Sequence, residues 1–475
     1  MRASLRSSLQ SPQPYAKVPH LWALGVGSVI GAEYFGWQSG LVAGFDGLLI
    51  ICAVVTVLFV LLAFSIAELS AMLPSGGGSY VFSLHGIGNS AAFFAGLAEA
   101  VKIVAACAVG VVAIGSYLNQ MLGWSDSMGP LWWIAIFVLF VGLNASGVET
   151  TFRIQLVTTI LSVALLVVFY VGATTKIDYH QWVVEQDWRF PGGMDGIIRG
   201  FSSSVWFYLG IEELPLAVEE TIDPTKNMPI GLISAMATLV VITFCTVIFN
   251  SAISPGAREM AQSMSPLLDG YKSVFGDNQV TAVFTWLLVV GMVTSFHSFV
   301  FYMGRLLEAI ARDGFMPRFL TTLHPTRRTP YVALVTGATI GLALVFGLHF
   351  TIGDERLGPV LINLACFGAL VSYGFQLTAF IRLRIREPDR KRPYRSPFGV
   401  TGAVVSLALC AFVLFSIFYN GISSSDFIAS VIAGVAIFVL GGVYFFVVVR
   451  PTLSDSEPTS TKQYRESATP TKSVV

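Results

Sequence analysis

Apolar windows of about 20 residues recur along this chain, and a helix needs about that length to cross roughly 30 Å of hydrocarbon. Twelve occur, at 21–44, 47–69, 90–118, 130–146, 152–173, 197–218, 229–252, 280–303, 331–350, 359–381, 401–419 and 426–449. Their apolar runs are continuous rather than alternating, which excludes a barrel of membrane strands. Inside lipid each backbone amide must be satisfied within its own segment, so every window reads as a helix. Only 12% of the 475 residues are charged and 54% are hydrophobic. That charged share is half of what soluble proteins use, too little polar surface to coat a particle in water. The lipid bilayer is therefore the expected surroundings. A formal net charge of zero points away from a nucleic-acid partner.

The ends and the thiols add limits. The first twenty residues lack an apolar stretch, so no cleavable signal is expected and the first membrane helix directs insertion. Cys52, Cys107, Cys245, Cys366 and Cys410 all lie in apolar stretches without metal-ligand spacing, so neither a disulfide framework nor a zinc site is indicated. No phosphate-binding loop, nucleophile elbow or metalloprotease motif is present, and no enzyme is expected. With twelve spans and both termini cytoplasmic, 21 of the 28 Lys and Arg residues fall on the inner side, six fall outside and Lys102 lies within a span. Positive loops face the cytoplasm, so the bias sets the orientation.

Two windows carry interruptions. The first holds Gly25, Gly27 and Gly31 followed by Glu33. The sixth runs from Gly200 through Trp206 and Gly210 to Glu212, Glu213 and Pro215. Glycine and proline weaken a membrane helix and bare its peptide groups. Windows 1 and 6 each begin a set of five, and breaks at matching places in two halves point to a transporter built from inverted repeats. The expected fold is an all-α membrane protein of twelve transmembrane helices, with a five-plus-five inverted repeat, broken helices 1 and 6, and two peripheral helices. Its parts are an N-terminal cytoplasmic tail at 1–20, a transporter domain at 21–450 and a disordered cytoplasmic tail at 451–475. Within the domain the repeats cover 21–173 and 197–381, and the peripheral helices 401–450.

Four stretches carry a family resemblance. They are Gly27 to Trp37; Ala67-Glu68-Leu69 with Pro74 to Tyr80; Trp206 to Glu212 with Pro215 to Pro224; and Arg305 to Pro317. In these the chain resembles the amino acid–polyamine–organocation (APC) transporters, and the ethanolamine permease branch most closely. The resemblance implies a secondary transporter working by alternating access, at the plasma membrane by family default. The unwound part of helix 1, here Val29, Ile30, Gly31, Ala32 and Glu33, would cradle the polar end of the substrate. The unwound part of helix 6, here Leu209, Gly210 and Ile211, would offer carbonyls to its amine. Trp206 would close over the substrate, and Glu212 would take part in gating or proton sensing.

Departures from the family pattern bear on the substrate. Many amino acid carriers have glycine where Glu33 stands, and a carboxylate there would attract an ammonium, which favours a small amine such as ethanolamine. Lys102, one turn after Glu99, leaves three readings open: an internal ion pair, contact with a substrate carboxylate, or a lysine that exchanges places with a coupling cation. On helix 8, Thr294, Ser295 and His297 are candidates for coupling to Na+ or H+, against the alternative that the hydroxyls bond back to their own helix. Glu68 reads as a cap or gate partner, and Glu219 and Glu220 as anchors for basic residues. No cofactor is expected, only a coupling ion, H+ or Na+. The partners are the lipid bilayer and a small amine or amino acid, with the oligomeric state left open. The rivals are a proton- or sodium-coupled amino acid permease of the same fold and a nutrient sensor that does not transport.

Overall fold

A computed structural model describes residues 14–423 and 425–453. The expected tail from Ser454 and residues 1–13 of the N-terminal tail lie outside the described residues. In order, the helices are α1 (Val18–Val29), α2 (Gly31–Tyr34), α3 (Gly44–Met72), α4 (Ser79–Gly86), α5 (Asn89–Leu122), α6 (Gly129–Ala145), α7 (Val148–Ala173) and α8 (Gly193–Ser204). They continue as α9 (Pro224–Ser251), α10 (Ala257–Met260), α11 (Pro266–Phe275), α12 (Gln279–Arg312), α13 (Tyr331–Ile352), α14 (Asp354–Arg386), α15 (Gly399–Ser423), α16 (Ser425–Tyr444) and α17 (Arg450–Leu453). Among the described residues ten helical stretches are long and apolar enough to cross a membrane, and the chain is an integral membrane protein.

The windows at 21–44 and 197–218 are not among those ten. After α1 and the short α2, Phe35 is extended and Gly36 takes φ 93°. The chain then runs as a 3-10 helix, Trp37–Ala43, directly into α3. The expected separation between windows 1 and 2 near residue 45 is therefore displaced to Phe35–Gly36. Here the peptide must reverse hand, and only glycine does so without strain. In the other window, α8 tightens into a 3-10 turn at Val205–Phe207, and Gly210 takes φ 119°. A second 3-10 helix, Ile211–Glu220, holds Pro215. Proline lacks the amide that a continuous helix would need there.

The two interrupted segments are also joined at their ends. The amides of Tyr15 and Ala16 both donate to the Glu220 carbonyl at 2.8 Å, and the Ile222 amide donates to the Ala16 carbonyl at 2.9 Å. Around them, α5 packs along α12 and α14, and α9 packs along α1 and α3. The outward residues of the flanking helices are apolar, for example Val138, Val171, Val241 and Val439. That is the pattern of surfaces facing lipid rather than water.

Candidate substrate site

The first interruption is held open by a side chain from another helix. The Ser295 hydroxyl of α12 donates to the Gly27 carbonyl at 2.8 Å and accepts from the Gly31 amide at 2.7 Å. In a continuous helix those two groups would bond to each other, so Ser295 stands inserted in the ladder. A Cβ on residue 31 would lie 2.8 Å from that hydroxyl, which is why glycine is needed there. The second interruption is tied to the first through Ser28. Its hydroxyl reaches the Gly25 carbonyl at 2.8 Å and the Gly210 carbonyl at 3.1 Å.

Between the breaks lies a cavity of about 20 Å³, lined by Val29, Gly31, Ala32, Trp206, Leu209 and Ser295 among others. Trp206 stands at its rim. The indole Nε1 donates to the Phe35 carbonyl at 3.1 Å, and its ring meets that of Phe35 edge-on with centroids 6.0 Å apart. Beyond it opens a vestibule of about 730 Å³, whose walls include Gln38, Ser116, Tyr117, Arg199 and Asn363. Phe35 and Met292 line both spaces. Trp206 and Phe35 thus stand between the small cavity and the large vestibule.

The opposite end is closed by charge pairs. The vestibule reaches residues near the C-terminal end of α5 and the N-terminal ends of α12 and α14. At the other ends of α12 and α14, Arg305 pairs with Glu220 at 2.6 Å, Arg312 with Glu219 at 2.7 Å, and Arg384 with Glu68 at 2.5 Å. Glu68 also holds Arg392 at 2.9 Å and accepts from the Ser396 amide at 2.7 Å. Tyr80 donates to Asp313 at 2.8 Å. The pairs of Glu219 and Glu220 cross from the second broken segment to α12, while those of Glu68 join α3 to α14 and the segment that follows it.

Of the ten residues expected to meet substrate, Val29, Gly31, Ala32, Trp206 and Leu209 line the small cavity. Ile30, Glu33, Lys102, Gly210 and Ile211 do not. Gly210 acts through its carbonyl in the break, and Ile211 packs toward Gly25. Glu33 is turned to the other side of its short helix, where Thr243 of α9 donates to its Oε1 at 2.9 Å. Lys102 is fully buried in an acidic cluster: its ammonium lies 2.7 Å from Glu212, 3.6 Å from Glu99, and in contact with Glu213. Tyr373 donates to Glu212 at 2.6 Å, Ser79 donates to Glu99 at 2.6 Å, and Ser372 also bonds Glu99. Of the three readings of Lys102, the internal ion pair matches this geometry.

The coupling candidates separate in the same way. Thr294 bonds back to the Val290 carbonyl at 2.5 Å, as hydroxyls in membrane helices commonly do. His297 is held by Asn144 at 3.1 Å and the Thr151 carbonyl at 3.3 Å, away from the cavity. Glu99 and Glu212 belong to the Lys102 cluster, while Ser295 and Trp206 alone reach the cavity. Glu213, the second acid of the interrupted segment, joins Glu99 and Glu212 in contact with Lys102. A lysine in a membrane helix close to one acid was the available signal for a second.

Comparison with known proteins identifies the family. The chain is similar to a transporter of Rhizobium meliloti described as uncharacterized, 28% identical over 84% of this chain and 85% of that one. It is 26% identical to the methylthioribose transporter of Bacillus subtilis, over 88% of this chain and 91% of the relative. It is 25% identical to the branched-chain amino acid permease of the same organism, over 84% and 86%. The family model described as amino acid permease matches residues 18–445, nearly the whole of the described chain, and the protein is a member of the amino acid permease family of membrane transporters.

Proposed function

We propose that this protein is a secondary-active carrier of a small amino acid, working by alternating access. The observation that carries the reading is the small cavity between two facing helix breaks, lined by Trp206 and adjoining a large vestibule through Phe35 and Met292. Broken helices leave peptide N–H and C=O groups outside the ladder. Such groups suit a ligand bearing an ammonium and a carboxylate. No acidic or basic side chain lines the small cavity. The expectation of a free amine such as ethanolamine rested on Glu33 facing substrate, and Glu33 faces α9 instead. A zwitterion, neutral overall, fits an uncharged lining better than a lone cation does.

In this reading the twelve windows are twelve transmembrane helices. Those in 21–173 and 197–381 form the two inverted repeats, and those in 401–450 lie at the periphery. Both termini are cytoplasmic, the basic loops face inward and the vestibule faces outward, at the plasma membrane. The ion pairs of Arg305 and Arg312 then seal the inner end, and the conformation is outward-facing. Transport requires that seal to part while Trp206 and Phe35 close the outer path.

Purified protein in lipid vesicles tests the reading. Radiolabelled neutral amino acids should exchange across the membrane, and ethanolamine should compete weakly. Trp206→Ala should lower exchange at least about tenfold by removing the ring between cavity and vestibule, and Trp206→Phe should retain part of it. Absence of exchange for every amino acid, or an unchanged rate in Trp206→Ala, would overturn it.

A further inference from the structure

Glu33 is fully buried and takes no part in lining the cavity. Thr243 donates to its Oε1 at 2.9 Å, while its Oε2 has no hydrogen-bond partner. The short α2 packs against α12, α11, α1 and α9, and α11 brings Tyr271 near Tyr34. The groups that bear on Glu33 itself come from other elements as well. They are Thr243, Thr246 and Cys245 from α9, Tyr170 from α7, Cys52 from α3 and Tyr208 from the second interruption. The Tyr170 hydroxyl is engaged with Thr246 at 2.6 Å. Among the described residues no lysine, arginine or histidine pairs with Glu33. A bare carboxylate in an apolar interior costs several kcal/mol, and such a group takes up a proton rather than remain charged. The neighbouring residues Tyr34, Phe35 and Gly36 line the vestibule.

We propose that Glu33 is a proton-binding site of this carrier, set behind the first helix break and separate from the substrate cavity. The proposal rests on the transport reading above for its use, but not for its existence. The proton sits on the unpartnered Oε2 while Thr243 holds Oε1. Its release is linked to the path to the cavity through the short helix that carries both Glu33 and the cavity-lining Gly31 and Ala32. The Lys102 cluster differs in kind: three carboxylates share one ammonium there, whereas no cation pairs with Glu33 among the described residues.

Infrared spectra of the protein in lipid test the site without any substrate. At neutral pH the wild type should show a carboxylic-acid C=O band that Glu33→Gln removes. Loss of carboxylate bands instead would overturn the proposal. In vesicles, an acid-outside gradient should drive about tenfold accumulation of an exchanged amino acid per pH unit. Glu33→Gln should reduce this to about onefold while exchange persists. Retained gradient-driven accumulation, or drive by sodium alone, would also overturn it. Should the wild type exchange nothing, the transport reading fails and the infrared result still decides the site. If Glu33→Gln does not fold, Thr243→Val supplies the test. Removing a donor to the carboxylate should move the pH midpoint of the C=O band upward by about half to one unit. An unmoved midpoint counts against the proposal.

Discussion

At the scale of single residues, the Lys102 cluster shows why local spacing misleads. Lys102 and Glu99 are one turn apart on α5, yet the closest carboxylates to Lys102 are Glu212 and Glu213 from the second interrupted segment. Adjacent residues diverge on an α-helix, so two neighbouring acids rarely reach one partner. The 3-10 winding of Ile211–Glu220 is where both do so. Lys102→Met should strand three buried carboxylates and destabilise the protein by about 3–5 kcal/mol. Thermal unfolding in detergent, read by exposure of the buried Cys107 and Cys366, would register it as a lowered Tm. Adding Glu213→Gln should recover part of the loss, because one carboxylate no longer needs a counter-charge.

At the scale of elements, the break in the first membrane segment is a property of two helices together. Gly27 and Gly31 make the interruption possible, but the Ser295 hydroxyl between their peptide groups keeps it open. Ser295→Ala should let the Gly27 carbonyl and Gly31 amide bond directly, extending α1 through α2. The exchange of one hydrogen-bonded arrangement for another should leave stability within about 1 kcal/mol, while exchange in vesicles falls at least about tenfold. Slower hydrogen exchange at the Gly31 amide would accompany the closed turn, and wild-type transport in this variant would contradict the role given to Ser295.

At the scale of the whole molecule, a large vestibule lies at one end and a row of ion pairs at the other, which in the proposed transport cycle is one side of a two-sided equilibrium. A cysteine placed at Ser116, in the vestibule wall, should be labelled from outside intact cells by a membrane-impermeant maleimide. Four of the native cysteines are buried, and Cys245 is half-buried, so background labelling should be low. Arg305→Ala leaves Glu220 without its partner and should loosen the sealed end. A shift of about 1.4 kcal/mol toward the opposite state would change the ratio of the two states about tenfold and slow labelling. Faster or unchanged labelling would place the vestibule or the seal differently.

The membrane class, the family and the location of both interruptions were legible in the chain itself. Apolar length, glycine and proline placement and the motifs around Gly31 and Trp206 are local quantities, fixed by bilayer thickness and backbone sterics. Which way a side chain points from a broken helix is not local. Glu33 reads as a cavity residue by position, and only the packing of α2 against α9 turns it to Thr243. Ser295 reads as a candidate ion ligand, and only the approach of α12 to α1 makes it a wedge in the ladder. Sequence determined where helical hydrogen bonding had to fail. Tertiary structure decided what fills each failure, because a freed peptide group is satisfied by whatever the neighbouring helix brings within reach.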